Sequence, residues 1–505
     1  AQEITLRSWL TQILEILLNG LGLRSGTIGE LLHTTDLTSK GLTEQGNLAV
    51  RIMSQQNNFQ RLFKLLNLQG DIAGRAWDLL NILPPNSSMI EDFASVSSLE
   101  KNLTTYLDPS VILKLAYSLN MISILVQRQQ DEDKQNSWCD EFLKLNGVHR
   151  LLDTLLDIPV GDSSAHITCF NQLLKLINFF VEYQQKTKSK LGKSISEYPR
   201  LQEAFTRILC ISFTLTKKQE TKNAENIIIG RCFRFVAKTL TENIKLLDDL
   251  YKWDSLSDLL QSSLLESSCT AVRQQACDEL ANLCCSVSVP DGANQEAPSD
   301  YFLKLLLSFI PLIEQHPRIA DYYFLLIEKI IRESDFLSKD TKVTEDLILQ
   351  LIETIKEHKV LEPSEAPANV DTGIIGLFDL VRTLVRGSPA WKELAAKKEL
   401  LSELFTNCLF AIPTADNHGP DAPPKCKTKD SRYAAYRLLV ELCREVPTNF
   451  SILVTALLKN MKTVNPRHNW QIIPGTKDKA SHGYVGLEYL GATCYMNSLM
   501  QQLYC

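Results

Sequence analysis

The sequence predicts a mainly α-helical protein whose helices stack as a solenoid, and three observations carry the prediction. From residue 1 to about 462, apolar residues recur at helical spacing in one segment after another. Alternating strand patterns are nearly absent. Pro and Gly fall mostly between the periodic segments, as at Pro84-Pro85, Pro159, Pro290, Pro363 and Pro389. At 505 residues the chain is too long for one compact core, and hundreds of residues in short helices are more easily cored as a stack of neighbours. An irregular all-helical domain is the alternative.

The helical period is plain in ITLRSWLTQILEILL (4–18), SVILKLAYSLNMISILVQ (110–127), FNQLLKLINFFVEYQ (170–184), AENIIIGRCFRFVAKTL (224–240) and LFDLVRTLVRG (377–387). The stretch WCDEFLKLNGVHRLLDTLLDIP (138–159) shows a whole unit. One helix runs to Leu145, and Asn146-Gly147 ends it, since both tolerate the left-handed turn that a helix C-terminus favours. A second helix places Val148, Leu151, Leu152, Leu155 and Leu156 on one face, and Pro159 closes it. A helix, a tight corner and a helix with a broad apolar face is how armadillo and HEAT repeats share a core. This unit resembles an armadillo repeat; the others match in rhythm, without a fixed period.

Three stretches break the rhythm. Residues 285–300 form a polar loop, and 412–432, rich in Pro, Gly and charge, is expected to be an exposed insertion. Residues 463–483 have no helical period and carry Pro466, Pro474 and Gly475, so they are expected to link a helical region, 1–462, to something different in kind.

Composition narrows the function. A net charge of −6 argues against wholesale nucleic-acid binding. The longest apolar run, 301–313, is too short for a membrane span and carries Lys304. Thirteen cysteines without a CxxC pair fit neither a zinc site nor a small disulfide framework, and indicate mostly buried thiols in a reducing compartment. No secretion signal opens the chain, which lacks an initiator Met, so its start is expected to be a fragment edge. The cytoplasm is the expected location, with the nucleus as a second, and the sequons at Asn86, Asn102 and Asn449 are expected to be unused. Basic patches at 184–193 and 425–432 are expected to be solvated loops, and Asp131/Asp133 and Asp248/Asp249 lack metal-site spacing. No cofactor or metal motif is present.

The last residues carry the chemistry. In LGATCYMNSLMQQLYC (490–505), Met496, Leu499, Met500 and Leu503 recur at helical spacing, which predicts a helix with those four in a core. Cys494 then sits at the helix N-terminus, with Thr493 as N-cap. The positive end of the helix dipole favours a thiolate, the nucleophilic form. Gly486 and Gly491 would let the backbone turn tightly and approach a substrate.

The stretch GYVGLEYLGATCYMNSLMQQLYC (483–505) resembles the cysteine box of the ubiquitin-specific proteases, matching at Gly486, Leu487, Gly491, Thr493, Cys494, Tyr495, Asn497 and Ser498. The flanking residues are most similar to the very large members, which carry long helical-repeat regions before the protease domain. The resemblance implies that 484–505 opens a papain-like cysteine protease domain, with ubiquitin and ubiquitinated proteins as partners and further protein partners on the solenoid. It implies Cys494 as the nucleophile in hydrolysis of ubiquitin isopeptide bonds, through an acyl-enzyme, with a His and an Asp or Asn assisting.

Two features depart from that pattern. The family's His and its partner lie hundreds of residues after the cysteine, whereas here no His, Asp or Glu follows Cys494 and all eight histidines precede it. His482 is near in sequence but has no place in the motif, and His149 belongs to the helical region. The chain as given is therefore expected to be an incomplete and inactive fragment. Second, Tyr489 stands where the family has an oxyanion-stabilising Asn. Losing such a donor costs roughly 2.7–4 kcal/mol. The alternative is a non-catalytic helical-repeat scaffold with a lost or truncated protease domain.

Overall fold

The computed structural model describes residues 52–463, apart from 69, 84–85, 95, 129–131, 160, 162, 188–192, 219–220, 288–295, 335–340, 363–368 and 412–421, together with 12–13, 487 and 494–504. Expectations for 4–18, Pro84-Pro85, Pro290, Pro363, Asp131, the linker after Thr463, Gly486, Tyr489, Gly491, Thr493 and His482 lie wholly or largely outside these residues.

The described residues are helical and contain no strand. The first four helices are α1 (Gln56–Leu65), α2 (Asp71–Ile82), α3 (Ser87–Ala94) and α4 (Val96–Tyr106). Asn86 is buried and caps α3, its Oδ1 accepting the Met89 amide at 2.9 Å. Next come α5 (Ile112–Arg128), α6 (Glu132–Lys144), α7 (Gly147–Asp157), α8 (Ser164–Thr187), α9 (Leu201–Thr216) and α10 (Asn223–Glu242). The short α11 (Leu246–Tyr251) and α12 (Leu256–Gln261) precede α13 (Thr270–Ser286), α14 (Pro298–Leu307) and α15 (Asp321–Glu333). The region continues with α16 (Thr341–Glu357), α17 (Thr372–Val385), α18 (Pro389–Lys397), α19 (Leu400–Glu403) and α20 (Lys429–Cys443). The chain divides into two compact units, 1–442 and 443–505. The second contains α21 (Pro447–Thr463) and α22 (Cys494–Tyr504).

Within the first unit, long helices form a continuous row. Helix α5 packs on α8, α8 on α10, α10 on α13, α13 on α15 and α15 on α17. The remaining helices back this row; α9 lies on α10 and α16 on α17. Contacts running mainly to successive neighbours are the signature of a solenoid-like stack. Each row helix contributes fully buried side chains, among them Leu119, Leu173, Ile228, Leu283, Leu326 and Phe378. Fully burying such a side chain contributes about 1.5–3 kcal/mol.

The unit at 138–159 folds as its residues predict. Helix α6 ends at Lys144, Asn146 takes the left-handed conformation at φ 54°, ψ 38°, and α7 begins at Gly147. Gly147 serves a different purpose from its neighbour. A Cβ there would lie 2.2 Å from the Phe142 ring, so glycine permits close approach rather than a positive φ. Val148, Leu151, Leu152 and Leu155 are buried, whereas Leu156 is only half-buried at the edge of the face. Pro389 opens α18 behind Ser388, whose Oγ accepts the Trp391 amide at 3.4 Å.

Of the insertion expected at 412–432, residues 422–432 are described, and they are more buried than an exposed, solvated loop would be, although Lys429 and Asp430 are exposed. Ala422, Cys426, Thr428 and Ser431 are buried, and Lys425 is nearly so. Residues 404–409 wind as a π-helix, and there the Asn407 and Cys408 carbonyls accept the Lys425 and Cys426 amides, each at 3.0 Å. Composition marks the segment as irregular, but its backbone is paired and its polar side chains are satisfied internally. The polar loop expected at 285–300 is also shorter than predicted, since α13 runs to Ser286 and α14 starts at Pro298.

Candidate active site

Cys494 is the first residue of α22, and its side chain is exposed. The helix therefore forms where the apolar spacing places it, with the thiol at the end where the helix dipole favours an anion. The stripe expected to be core is exposed among the described residues: Met496 is 46% accessible, Leu499 58%, Met500 53% and Leu503 75%. The period is right for a buried face, but no described surface covers it. Tyr489 and Thr493 lie outside the described residues.

Most thiols of the helical stack are buried, Cys210 and Cys285 being exposed. Burial pushes the Cys139 thiol up to about 12 and the Cys277 thiol up to about 11, and it also raises Cys169, Cys232 and Cys284. Such thiols are poor nucleophiles at neutral pH.

The described histidines with resolved partners serve the helical region. His149 is buried, its Nε2 lies 3.0 Å from the Ser194 carbonyl, and its ring packs on Tyr198. His166 Nδ1 lies 2.6 Å from Ser163 Oγ. His358 Nε2 lies 2.7 Å from Asp371 Oδ2, with both residues buried.

This last pair belongs to a polar cluster that the sequence reading did not find. Asp371 caps α17, its Oδ1 accepting the Gly373 and Ile374 amides at 3.0 and 3.1 Å. Glu362, fully buried, accepts the Asp371 amide at 3.1 Å, the Thr428 amide at 2.7 Å, and the Thr428 and Ser431 hydroxyls at 2.8 Å each. Lys425 Nζ donates to the Ile355 and Lys356 carbonyls at 2.8 and 2.7 Å, capping the end of α16, and to Glu403 at 2.8 Å. A sequence signal was present: Thr428 and Ser431 stand three apart ahead of an apolar helix, and the Ser431 amide donates to Thr428 Oγ1 at 3.2 Å. The His358–Asp371 pair has the partners of a proton relay, but it is sealed in the stack and its carboxylate is occupied with a helix cap. Its role is structural.

No group of three or more metal-ligating side chains occurs among the described residues, and no described helix is long and apolar enough to cross a membrane. No family model matches the chain. Curated proteins do. Ubiquitin carboxyl-terminal hydrolase 34 of Mus musculus is 25% identical over 86% of this chain and 15% of its own length. Ubiquitin carboxyl-terminal hydrolase puf of Drosophila melanogaster is 30% identical over 48% of this chain and 7% of its own. Ubiquitin carboxyl-terminal hydrolase 24 of Homo sapiens is 26% identical over 57% of this chain and 12% of its own. The chain is a relative of the large ubiquitin carboxyl-terminal hydrolases.

It spans about 15% or less of the length of these ubiquitin carboxyl-terminal hydrolases. A match over 86% of the chain extends far beyond the box around Cys494. The helical stack is therefore part of what this chain has in common with the ubiquitin carboxyl-terminal hydrolases.

Proposed function

We propose that this chain is the armadillo/HEAT-like region (1–462), the linker (463–483) and the opening of the papain-like protease domain (from 484) of a deubiquitinase. Cys494 is its nucleophile. The thiolate attacks the carbonyl of ubiquitin's C-terminal glycine, the lysine amine leaves, and water releases ubiquitin from the acyl-enzyme. The observation that carries this reading is an exposed cysteine opening a helix within the motif GLEYLGATCYMNS (486–498). The histidine and its Asp or Asn partner would come from sequence beyond these 505 residues, and the 505-residue chain alone would not turn over substrate. Ubiquitin and ubiquitinated proteins are the partners at Cys494. The helical stack recruits further proteins, in the cytoplasm and nucleus.

The test is turnover of ubiquitin carrying a C-terminal fluorogenic amide. The expected result is none from the 505-residue chain, turnover when the reading frame is continued past codon 505, and loss of that turnover in Cys494→Ala. Turnover that survives Cys494→Ala, or a stop codon directly after Cys505, would remove the enzyme reading.

The second reading, a non-catalytic scaffold, is favoured by Tyr489 at the position of the oxyanion donor. In the continued chain, Tyr489→Asn distinguishes the two. A gain of about 100-fold or more from a near-zero base supports a lost activity; no gain on an already active enzyme supports the first reading.

A further inference from the structure

The long helices and their neighbours carry charged side chains, and several of the cations are matched by carboxylates. Arg234 on α10 meets Glu279 on α13 at 2.9 Å, and Lys238 meets Glu182 on α8 at 3.5 Å. Lys329 on α15 meets Asp278 on α13 at 2.9 Å, and Arg437 on α20 meets Asp379 on α17 at 2.8 Å. At one junction two cations that share a cavity are not matched in this way. Between α5, α8 and α10 lies a cavity of about 220 Å³, walled by Ser123 and Val126, Lys175 and Phe179, and Arg231 and Arg234.

Two of its cations have only neutral acceptors. Lys175 Nζ donates to Ser123 Oγ at 2.9 Å. Arg231 donates to the Asn171 carbonyl at 2.6 Å and to Asn171 Oδ1. Neither has a carboxylate partner among the described residues. Glu182 also lines the cavity but is engaged by Arg234 at 3.8 Å and by Lys238. Burial, then the neighbouring Arg231 charge, lowers the Lys175 pKa. Burial, then Arg234, lowers that of Arg231 to about 10. Half-buried cations that share a cavity repel one another, and the attraction of an anion placed between them offsets that repulsion and the cost of desolvation.

We propose that this cavity is a recognition site for a carboxylate side chain of an acidic peptide segment in a partner protein, held by Lys175 and Arg231. The Arg231 guanidinium supplies directional donors, Lys175 supplies a point charge, and Val126 and Phe179 offer an apolar wall for the stem of a Glu side chain. The peptide would lie along the row and donate a carboxylate to Lys175 and Arg231, since Glu182 is engaged by Arg234 and Lys238. This inference needs only the helical stack, and it stands or falls independently of Cys494.

The test uses the 505-residue chain and fluorescein-labelled Ac-LEELEEL-amide in 150 mM salt, with binding read by anisotropy. The Glu peptide should bind, and its Gln counterpart should bind about 10- to 100-fold more weakly. Lys175→Glu should weaken the Glu peptide by a similar factor without lowering the melting temperature, because the new carboxylate faces Arg231. Lys329→Gln, which removes a charge from the same row outside the cavity, should change binding less than twofold. Equal binding of Glu and Gln peptides, no binding at 1 mM, or equal losses in Lys175→Glu and Lys329→Gln would overturn the proposal. So would a phosphoserine version binding more than tenfold tighter than the Glu peptide, which would make the preferred anion a phosphate.

Discussion

Glu362 and Ser431 are separated by 69 positions in the chain and joined by a 2.8 Å hydrogen bond in the interior of the stack. Through this contact and its companions, Glu362 holds the start of α17 and the start of α20 together. Replacing it with Ala leaves buried amides and hydroxyls without their acceptor. Glu362→Ala should cost about 3–5 kcal/mol, and Glu362→Gln less, because the amide oxygen retains some of the bonds. Thermal unfolding followed by circular dichroism checks the order of the three proteins.

Lys392 and Glu441 form a buried ion pair at 2.8 Å between α18 and α20. Lys392→Met strips Glu441 of this cation and should destabilise by about 3–5 kcal/mol. The double variant Lys392→Met/Glu441→Leu should recover most of that loss. A double-mutant cycle in urea measures the difference, and an additive pair would contradict this account.

Gly376 lets α17 approach α15, and a Cβ at that position would lie 1.9 Å from the Phe324 ring. Gly376→Ala should therefore destabilise by about 1–3 kcal/mol, despite the helix preference of Ala. The paired variant Gly376→Ala/Phe324→Leu should be less perturbed than the sum of its parts, as calorimetry would show.

At Asn146 the backbone is left-handed. Asn146→Gly should be close to neutral, whereas Asn146→Val should cost about 1–2 kcal/mol. The melting temperatures of the two variants should separate accordingly.

Native thiol labelling should divide the cysteines by exposure. Iodoacetamide should modify Cys210, Cys285 and Cys494 readily, while Cys139, Cys169, Cys232, Cys277, Cys408 and Cys426 react only after unfolding. Peptide mapping by mass spectrometry reads this directly. Labelling of Cys426 in the native protein would contradict its burial.

The helices were legible because their apolar period is a local property. Segments 170–184 and 224–240 fall within α8 and α10, 110–127 falls within α5 but for its first two residues, and the corner at Asn146-Gly147 is where the sequence puts it. The polar cluster was not legible, because what buries Lys425 is a pair of carbonyls 69 and 70 positions earlier. Composition registers Lys425 and Thr428 as soluble and has no means of registering the partners that remove them from water. The same limit applies in reverse to Met496 and Leu499, whose spacing anticipates a covering surface that the described residues do not provide. The resemblance at 483–505 has another basis: it is a short pattern of specific residue types, independent of tertiary context.

The contrast between the junctions of the stack governs how it yields to load. Between α10 and α13, packed side chains meet with the Arg234–Glu279 ion pair, and shear between packed helices meets fewer directional constraints there. Around Glu362, the ends of successive elements are fixed by directional bonds that tolerate little rotation. Under tension or torque the stack should therefore flex along its middle and stay stiff towards α20. Elastic strain arising at the early helices would be absorbed before it reached the last ones.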